Sequence, residues 1–385
     1  MIPRIRLTLL ILIGSFFAGL PVGLPAAEKF SQEAFLQAIV EGNSKAVDDY
    51  LAVHPAEDPG RNPDSLWGRA LVRVLDMYKL MMEEGEDIRF NEDPDETEAW
   101  IQSVGNYLDI FDQLIKPVEN SRRRERYQAK LFESAILEGN PEIVALLIER
   151  GYPPEVQDDS GNTPLMYAAG KGNIEVLRLL IRHGASIHRA SLTETPFMRA
   201  VARDRPDTVR FLANQGAEVN GRVNGGETAL FLVVREGNSR MLDLLLGFKV
   251  DINAETRFGW TPLMEASIQG QTETARRLLA EGADPNREDA LGRTALMLAA
   301  GARYPELVTL LLEAGADVDA RAADGQTALM HAVRRPANEA VIRRLILAGA
   351  QTQVPDAEGR TPLSLARSSG NAHYTGLLLS AGTAP

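Results

Sequence analysis

The chain has 385 residues, 44% of them hydrophobic and 24% charged, and no cysteine. That length and balance suffice for a sizeable buried core, while the missing cysteines exclude disulfides, thiol catalysis and lipid attachment through sulfur. A formal net charge of −12 argues against nucleic acid and anionic lipid surfaces and favours basic or neutral partners.

Residues 1–27 differ in kind from the rest. Arg4 and Arg6 precede the apolar run Leu7 to Leu20, and Pro21, Pro25 and Ala26-Ala27 follow. A charged start, a short apolar middle and a small-residue end describe a secretory signal peptide, which predicts a periplasmic or secreted protein. The alternative is an uncleaved anchor in the inner membrane, for which the run is short, since a span needs about 20 residues. A cysteine-free chain suits an oxidising compartment.

Residues 28–128 predict a helical N-terminal region. Phe35, Ala38, Ile39, Gly42-Asn43 and Val47 reappear as Phe132, Ala135, Ile136, Gly139-Asn140 and Val144, so both segments read as degenerate copies of one unit. Between them, Leu66, Ala70, Leu71, Val74, Leu75, Tyr78 and Met82 mark one half-buried helix. Ile101, Val104, Leu108, Phe111 and Ile115 mark a second. These helices are either eroded repeats or an insertion that caps the C-terminal part of the chain, and the long acidic linker Glu83 to Glu98 favours the insertion. Arg122, Arg123, Arg124 and Arg126 form a basic cluster in an acidic chain. At a helix start they oppose the macrodipole by about 0.3–1 kcal/mol, and they read as a solvated turn pairing with the acidic linker or as a partner contact.

From Lys130 a block recurs to the C-terminus. It reads Gly161-Asn-Thr-Pro-Leu, then Ala168-Ala-Gly-Lys-Gly172, then Val176-Leu-Arg-Leu-Leu180, then Gly184-Ala-Ser. The opening threonines are Thr163, Thr195, Thr228, Thr261, Thr294, Thr327 and Thr361, at steps of 32, 33, 33, 33, 33 and 34 residues. A period of this length predicts a stacked solenoid, in which no unit buries its core alone. Pro164 opens helix A without losing a needed hydrogen bond. Leu165, Ala168 and Ala169 share one face, and the small alanines let neighbouring units approach. Gly172 allows the turn, Asn173 is placed to cap helix B, and Gly184 ends it.

These blocks resemble ankyrin repeats, with Gly259-Trp-Thr-Pro-Leu263 and Gly282-Ala-Asp284, and Gly292-Arg-Thr-Ala-Leu296 and Gly315-Ala-Asp-Val318, as the best matches. The resemblance covers about two-thirds of the chain in seven clear copies. It implies an all-α solenoid of stacked helix-turn-helix repeats with β-hairpin-like fingers, under an N-terminal helical cap. The units fall at about 130–157 (a degenerate copy), 158–190, 191–222, 223–255, 256–288, 289–321, 322–355 and 356–385. Two departures stand out. The usual histidine after the leucine is replaced by Met166, Met198, Phe231, Met264, Met297, Met330 and Ser364, and Thr193 stands where the turn glycine of the second repeat belongs. The last repeat carries Ser364, Ser368, Ser369 and His373, the polar face of a terminal cap.

The candidates for chemistry resolve toward packing. The recurrent methionines lie on successive repeats about 10 Å apart, too far to share one ion, and thioethers fill irregular core gaps. His54, His183, His188, His331 and His373 show no metal-ligand spacing. No nucleophile elbow, phosphate loop or dinucleotide fingerprint occurs. The chain therefore predicts no enzyme, no metal and no cofactor.

The resemblance implies protein binding through a concave groove lined by finger and helix-A positions. Carried over by position, these are Arg257, Phe258, Trp260, Ile268, Gln269, Leu291, Arg293, Arg334 and Arg335. Aromatic residues beside arginines compose a binding hot spot, although Phe258 and Trp260 packing on neighbouring fingers accounts for the same residues. The expected molecule is a monomer that binds one other protein. Exported proteins of this kind include immunity proteins that neutralise a delivered toxin and helpers of oxidative-stress enzymes.

Overall fold

The computed structural model describes residues 34–53 apart from 36 and 40, residue 70, residues 74–82, 94–116, and 121–381 apart from 224. The expected leader and most of the acidic linker lie outside the described residues. Every labelled element is a helix, and no described helix is long and apolar enough to cross a membrane. The contacts divide the chain into two units, residues 1–186 and 187–385.

In the first unit, α1 (Ser44–Val53), a helical run over 74–82 and α2 (Pro94–Ile115) precede α3 (Ser121–Leu137), α4 (Pro141–Glu149), α5 (Pro164–Lys171) and α6 (Ile174–Arg182). The helical run over 74–82 and α2 are tied to the repeats by polar bonds. The Tyr78 hydroxyl donates to the Leu131 carbonyl at 3.2 Å, and Arg150 on the turn after α4 holds Asp109 of α2 at 2.6 Å. The shared Gly-Asn pair predicts that Asn140 caps α4 as Asn173 caps α6. Instead its amide donates to the Met82 carbonyl at 3.1 Å, so a tertiary bond has displaced the local one. Asn173 and Asn238 do cap their helices, accepting from Val176 N and Met241 N. Of the arginine cluster, Arg126 pairs with Asp159 of the first finger at 3.2 Å.

The second unit stacks six helix pairs. They are α7 (Pro196–Ala202) with α8 (Pro206–Asn214), α9 (Ala229–Glu236) with α10 (Ser239–Leu246), and α11 (Pro262–Gln269) with α12 (Thr272–Ala280). Next come α13 (Ala295–Ala302) with α14 (Pro305–Glu313), α15 (Ala328–Val333) with α16 (Glu339–Leu347), and α17 (Pro362–Ser368) with α18 (Ala372–Ala381). Each A helix packs on the A helix of the next pair and on its own B helix.

The recurring residues have local reasons. Thr261 caps α11 by accepting from Met264 N at 3.2 Å, and Thr163, Thr195, Thr294, Thr327 and Thr361 do the same on their helices. Such a cap contributes about 1 kcal/mol. Thr228 breaks the pattern, since its buried hydroxyl makes no cap bond. Leu263, Met264 and Ala266 of α11 and Leu278 of α12 are fully buried, as are the other recurrent methionines. Each such leucine contributes about 1.5–3 kcal/mol by leaving water, and the alanines set the close approach of neighbouring A helices.

Candidate functional site

The fingers of the second unit are tight turns closed on themselves, and from Gly225 onward each is tied to the next. In one finger the carboxylate of Asp289 accepts from Leu291 N and Arg293 N at 2.9 and 2.8 Å, and Asp356 repeats this with Glu358 N and Arg360 N. Thr256 substitutes its hydroxyl for that carboxylate, toward Phe258 N and Trp260 N. From the finger at Gly225 onward, one backbone bond links each finger to its neighbour. Arg257 N donates to Gly225 O, Ala290 N to Phe258 O and Ala323 N to Leu291 O, each at 2.8 Å, and Ala357 N donates to Asp324 O at 2.9 Å. The glycine at each crossing is needed for space as well as for angle. Gly292 has φ +70°, and a Cβ there would lie 2.8 Å from Ala323 N.

This ladder fixes the finger tips and leaves large side chains in solvent. Phe258 is 59% exposed and Leu291 57%, on adjacent fingers, with Ile268 of α11 also exposed. Arg257 lies over the Phe258 ring at 4.8 Å. Trp260 is half-buried, its indole N–H donating to Glu265 Oε2 at 2.9 Å, and Arg293 lies over its ring at 5.5 Å. Gln269 donates to the other oxygen of Glu265 at 2.6 Å. Arg235 approaches the same carboxylate at 3.8 Å, and its bond to Glu227 holds its guanidinium charged more firmly still. Phe258, Trp260, Leu291 and these charged groups border a cleft of about 620 Å³ between the fingers, in which Glu227, Glu265 and Asp289 face Arg235, Arg257 and Arg293.

A second cleft, of about 600 Å³, adjoins it at Arg293. Ile268 of α11, Leu298 of α13 and His331 of α15 line it, together with Arg303 and Arg335. Its far wall exists because one A-to-B loop is a residue longer than the others, which is the 34-residue step between Thr327 and Thr361. Pro336 and Ala337 fill that loop, and buried Asn338 anchors it by donating to Ala300 O at 2.9 Å and Ala332 O at 3.0 Å. Arg303 reaches across to the Pro336 carbonyl at 3.3 Å.

Two features of this second cleft are strained or unmet. Arg303 adopts φ +70° at the end of α13, where α5, α9 and α11 end in glycine. A side chain in that conformation costs about 1–2 kcal/mol. His331 has a buried Nε2 with no hydrogen-bond partner. Burial holds its imidazole below the ordinary histidine value, helped by Arg334, Arg293 and Arg335 and opposed by Asp324.

The sequence-predicted residues thus fall in two neighbouring places. Arg257, Phe258, Trp260, Leu291 and Arg293 surround the finger cleft. Ile268, Arg293 and Arg335 line the helical one. Gln269 lines neither and instead positions Glu265, while Arg334 is exposed beside the second cleft without lining it. Sequence reasoning missed Glu227, Arg235, Glu265, Arg303 and His331. Aligning the repeats gives the signal for two of them. Glu265 and His331 occupy one row, four residues after each threonine, shared with Tyr167, Arg199, Leu232, Leu298 and Leu365. Arg303 is betrayed by the glycine it replaces. Among the described residues no group of acids and histidines is arranged to hold a metal ion.

Comparison with known proteins gives the same pattern. The family model described as ankyrin repeats matches three times, over residues 131–223, 230–322 and 296–385. An ankyrin repeat and KH domain-containing protein of Caenorhabditis briggsae is 28% identical over 202 residues, 47% of this chain and 8% of that protein. An ankyrin repeat-containing protein of Treponema pallidum (strain Nichols) is 36% identical over 117 residues, 30% of this chain and 39% of that protein. A transient receptor potential cation channel subfamily A member 1 homolog of Caenorhabditis elegans is 31% identical over 156 residues, 40% of this chain and 13% of that protein. In each case the match spans well under two-thirds of the relative's length.

Proposed function

The chain belongs to the ankyrin repeat family, and we propose that it is a non-enzymatic scaffold whose protein partner docks on the finger tips and A helices of α9 to α15. One observation carries this reading. Of seven large hydrophobic side chains exposed among the described residues, Phe258, Ile268 and Leu291 cluster on this one face, beside Trp260 and five arginines. Contiguous exposed apolar surface of this kind marks interaction sites. Rigid aromatics held by a backbone ladder lose little entropy when a partner covers them.

The leader-like residues 1–27 support an exported protein, with a periplasm as the compartment. The mass of the protein isolated from its own cells tests this, because an intact chain in the membrane fraction contradicts it. Affinity capture from a periplasmic extract on the immobilised protein identifies the partner. Capture by the native protein that disappears in a Phe258→Ala, Leu291→Ala double variant of unchanged melting temperature supports the groove. Undiminished capture places the interface elsewhere. A captured toxin and a captured peroxide-handling enzyme correspond to the immunity and stress-helper versions of this role.

A further inference from the structure

We infer that the cleft between α11, α13 and α15 receives an acidic segment of the partner protein, an aspartate or glutamate side chain next to an apolar one. The inference rests on the groove reading and narrows it to one chemistry. Arg293, Arg303 and Arg335 line this cleft, and no acid does. Arg303 and Arg335 form no ion pair among the described residues, while Arg293 is shared with Asp289. Ile268 and Leu298 supply an apolar floor beside these guanidiniums. A carboxylate there would meet planar donors suited to two-point recognition, with its apolar neighbour desolvated alongside.

The backbone points the same way. Three sibling helices end in glycine where α13 ends in Arg303, and Arg303 holds the left-handed conformation all the same. Ala337 in the lengthened loop is also left-handed, at φ +57°. Of the three left-handed non-glycine residues among the described residues, Asp204, Arg303 and Ala337, the last two lie at this cleft and its lengthened loop, and such strain is concentrated at functional sites. His331 adds a buried nitrogen without a partner to the same cleft. The net charge of −12 favours a basic or neutral partner at long range. That field is screened beyond about 8–10 Å in physiological salt, so inside the cleft the three arginines decide.

The test is selection of short random peptides displayed against the whole immobilised protein. Enriched peptides, labelled with fluorescein, are then titrated by anisotropy at low and high salt. The expected peptides carry Asp or Glu next to Leu, Ile, Val or Phe, and bind more weakly as salt rises. Arg335→Glu should weaken them by about tenfold or more. Arg303→Gly should weaken them while raising the melting temperature, which separates lost binding from lost folding. Arg240→Glu, the same charge change on exposed α10, should leave binding unchanged. Peptides that are basic or uncharged, no enrichment, or equal binding by Arg335→Glu and Arg240→Glu would each overturn the inference. The broader groove reading is judged separately. If the captured partner still depends on Phe258 and Leu291 when Arg335→Glu has no effect, only the acidic-segment inference fails.

Discussion

Arg293 is held by the buried carboxylate of Asp289 at 2.6 Å while its guanidinium lies over the Trp260 ring of the preceding repeat at 5.5 Å. One side chain therefore joins two repeats and borders both clefts. The indole beneath it is fixed at its other end by Glu265. This arrangement presents a rigid aromatic face whose polar edge is already satisfied.

Trp260→Ala should weaken the captured partner by about 2 kcal/mol or more, as loss of a rigid aromatic anchor does. Its stability cost should be near 1 kcal/mol, because a part-exposed hydrogen bond and one cation–π contact are lost. Titration against the partner with thermal melts alongside checks both. A variant that melts early and binds normally would make the tryptophan purely structural.

Leu263→Ala should cost about 2–5 kcal/mol, since Leu263 is fully buried between neighbouring A helices. Repeats touch only their neighbours, so the loss should also broaden the transition by uncoupling the repeats on either side. Urea unfolding followed by circular dichroism measures both. A cost below about 1 kcal/mol would mean the site collapses without a cavity.

Two glycines separate angle from space. Gly292 and Gly359 have similar φ, +70° and +78°, but a Cβ on Gly292 meets backbone of the next finger whereas nothing lies within 4 Å at Gly359. Gly359→Ala should therefore cost only the conformational penalty, about 1–2 kcal/mol. Gly292→Ala should cost clearly more and weaken partner binding by splaying the fingers that carry Phe258 and Leu291. Equal costs in denaturant titrations would show that the finger-to-finger crossing tolerates a methyl group.

His331 makes stability depend on pH. Its folded value lies below the ordinary 6.5, so the unfolded chain binds the proton more readily. The stability it permits is full above the ordinary value and declines as pH falls below it, toward the lowered folded value. Thermal melts from about pH 7 to about pH 5 should show a falling melting temperature, in the window where only histidine titrates unperturbed. His331→Gln should flatten that slope. An unchanged slope would assign the proton uptake to other groups.

Much of this molecule was legible because its period is local. Thr261, Pro262, Leu263 and Gly270 act within their own helix or turn, as cap, first residue, core and stop, and the threonine recurs in all seven clear repeats. The groove was legible only by position. Phe258, Trp260, Leu291 and Arg293 could be placed on finger tips, yet their exposure depends on where the next finger crosses. Asn140 shows the limit most clearly, since its sequence context matches that of Asn173 while its amide serves Met82, 58 residues away.

The sequence by itself determined the repeat, its helices, its small-residue interfaces and its acidic balance, because caps, turns and periodic burial depend on residues within a few positions of one another. Tertiary structure alone decided which charges stand together. Glu265, Arg235 and Gln269 converge on one face although they belong to two repeats, and Arg303 meets Pro336 only because a loop one residue longer reaches back to it. Side-chain chemistry across a stack is set by the distance between neighbouring repeats, a quantity that packing fixes and no local pattern encodes.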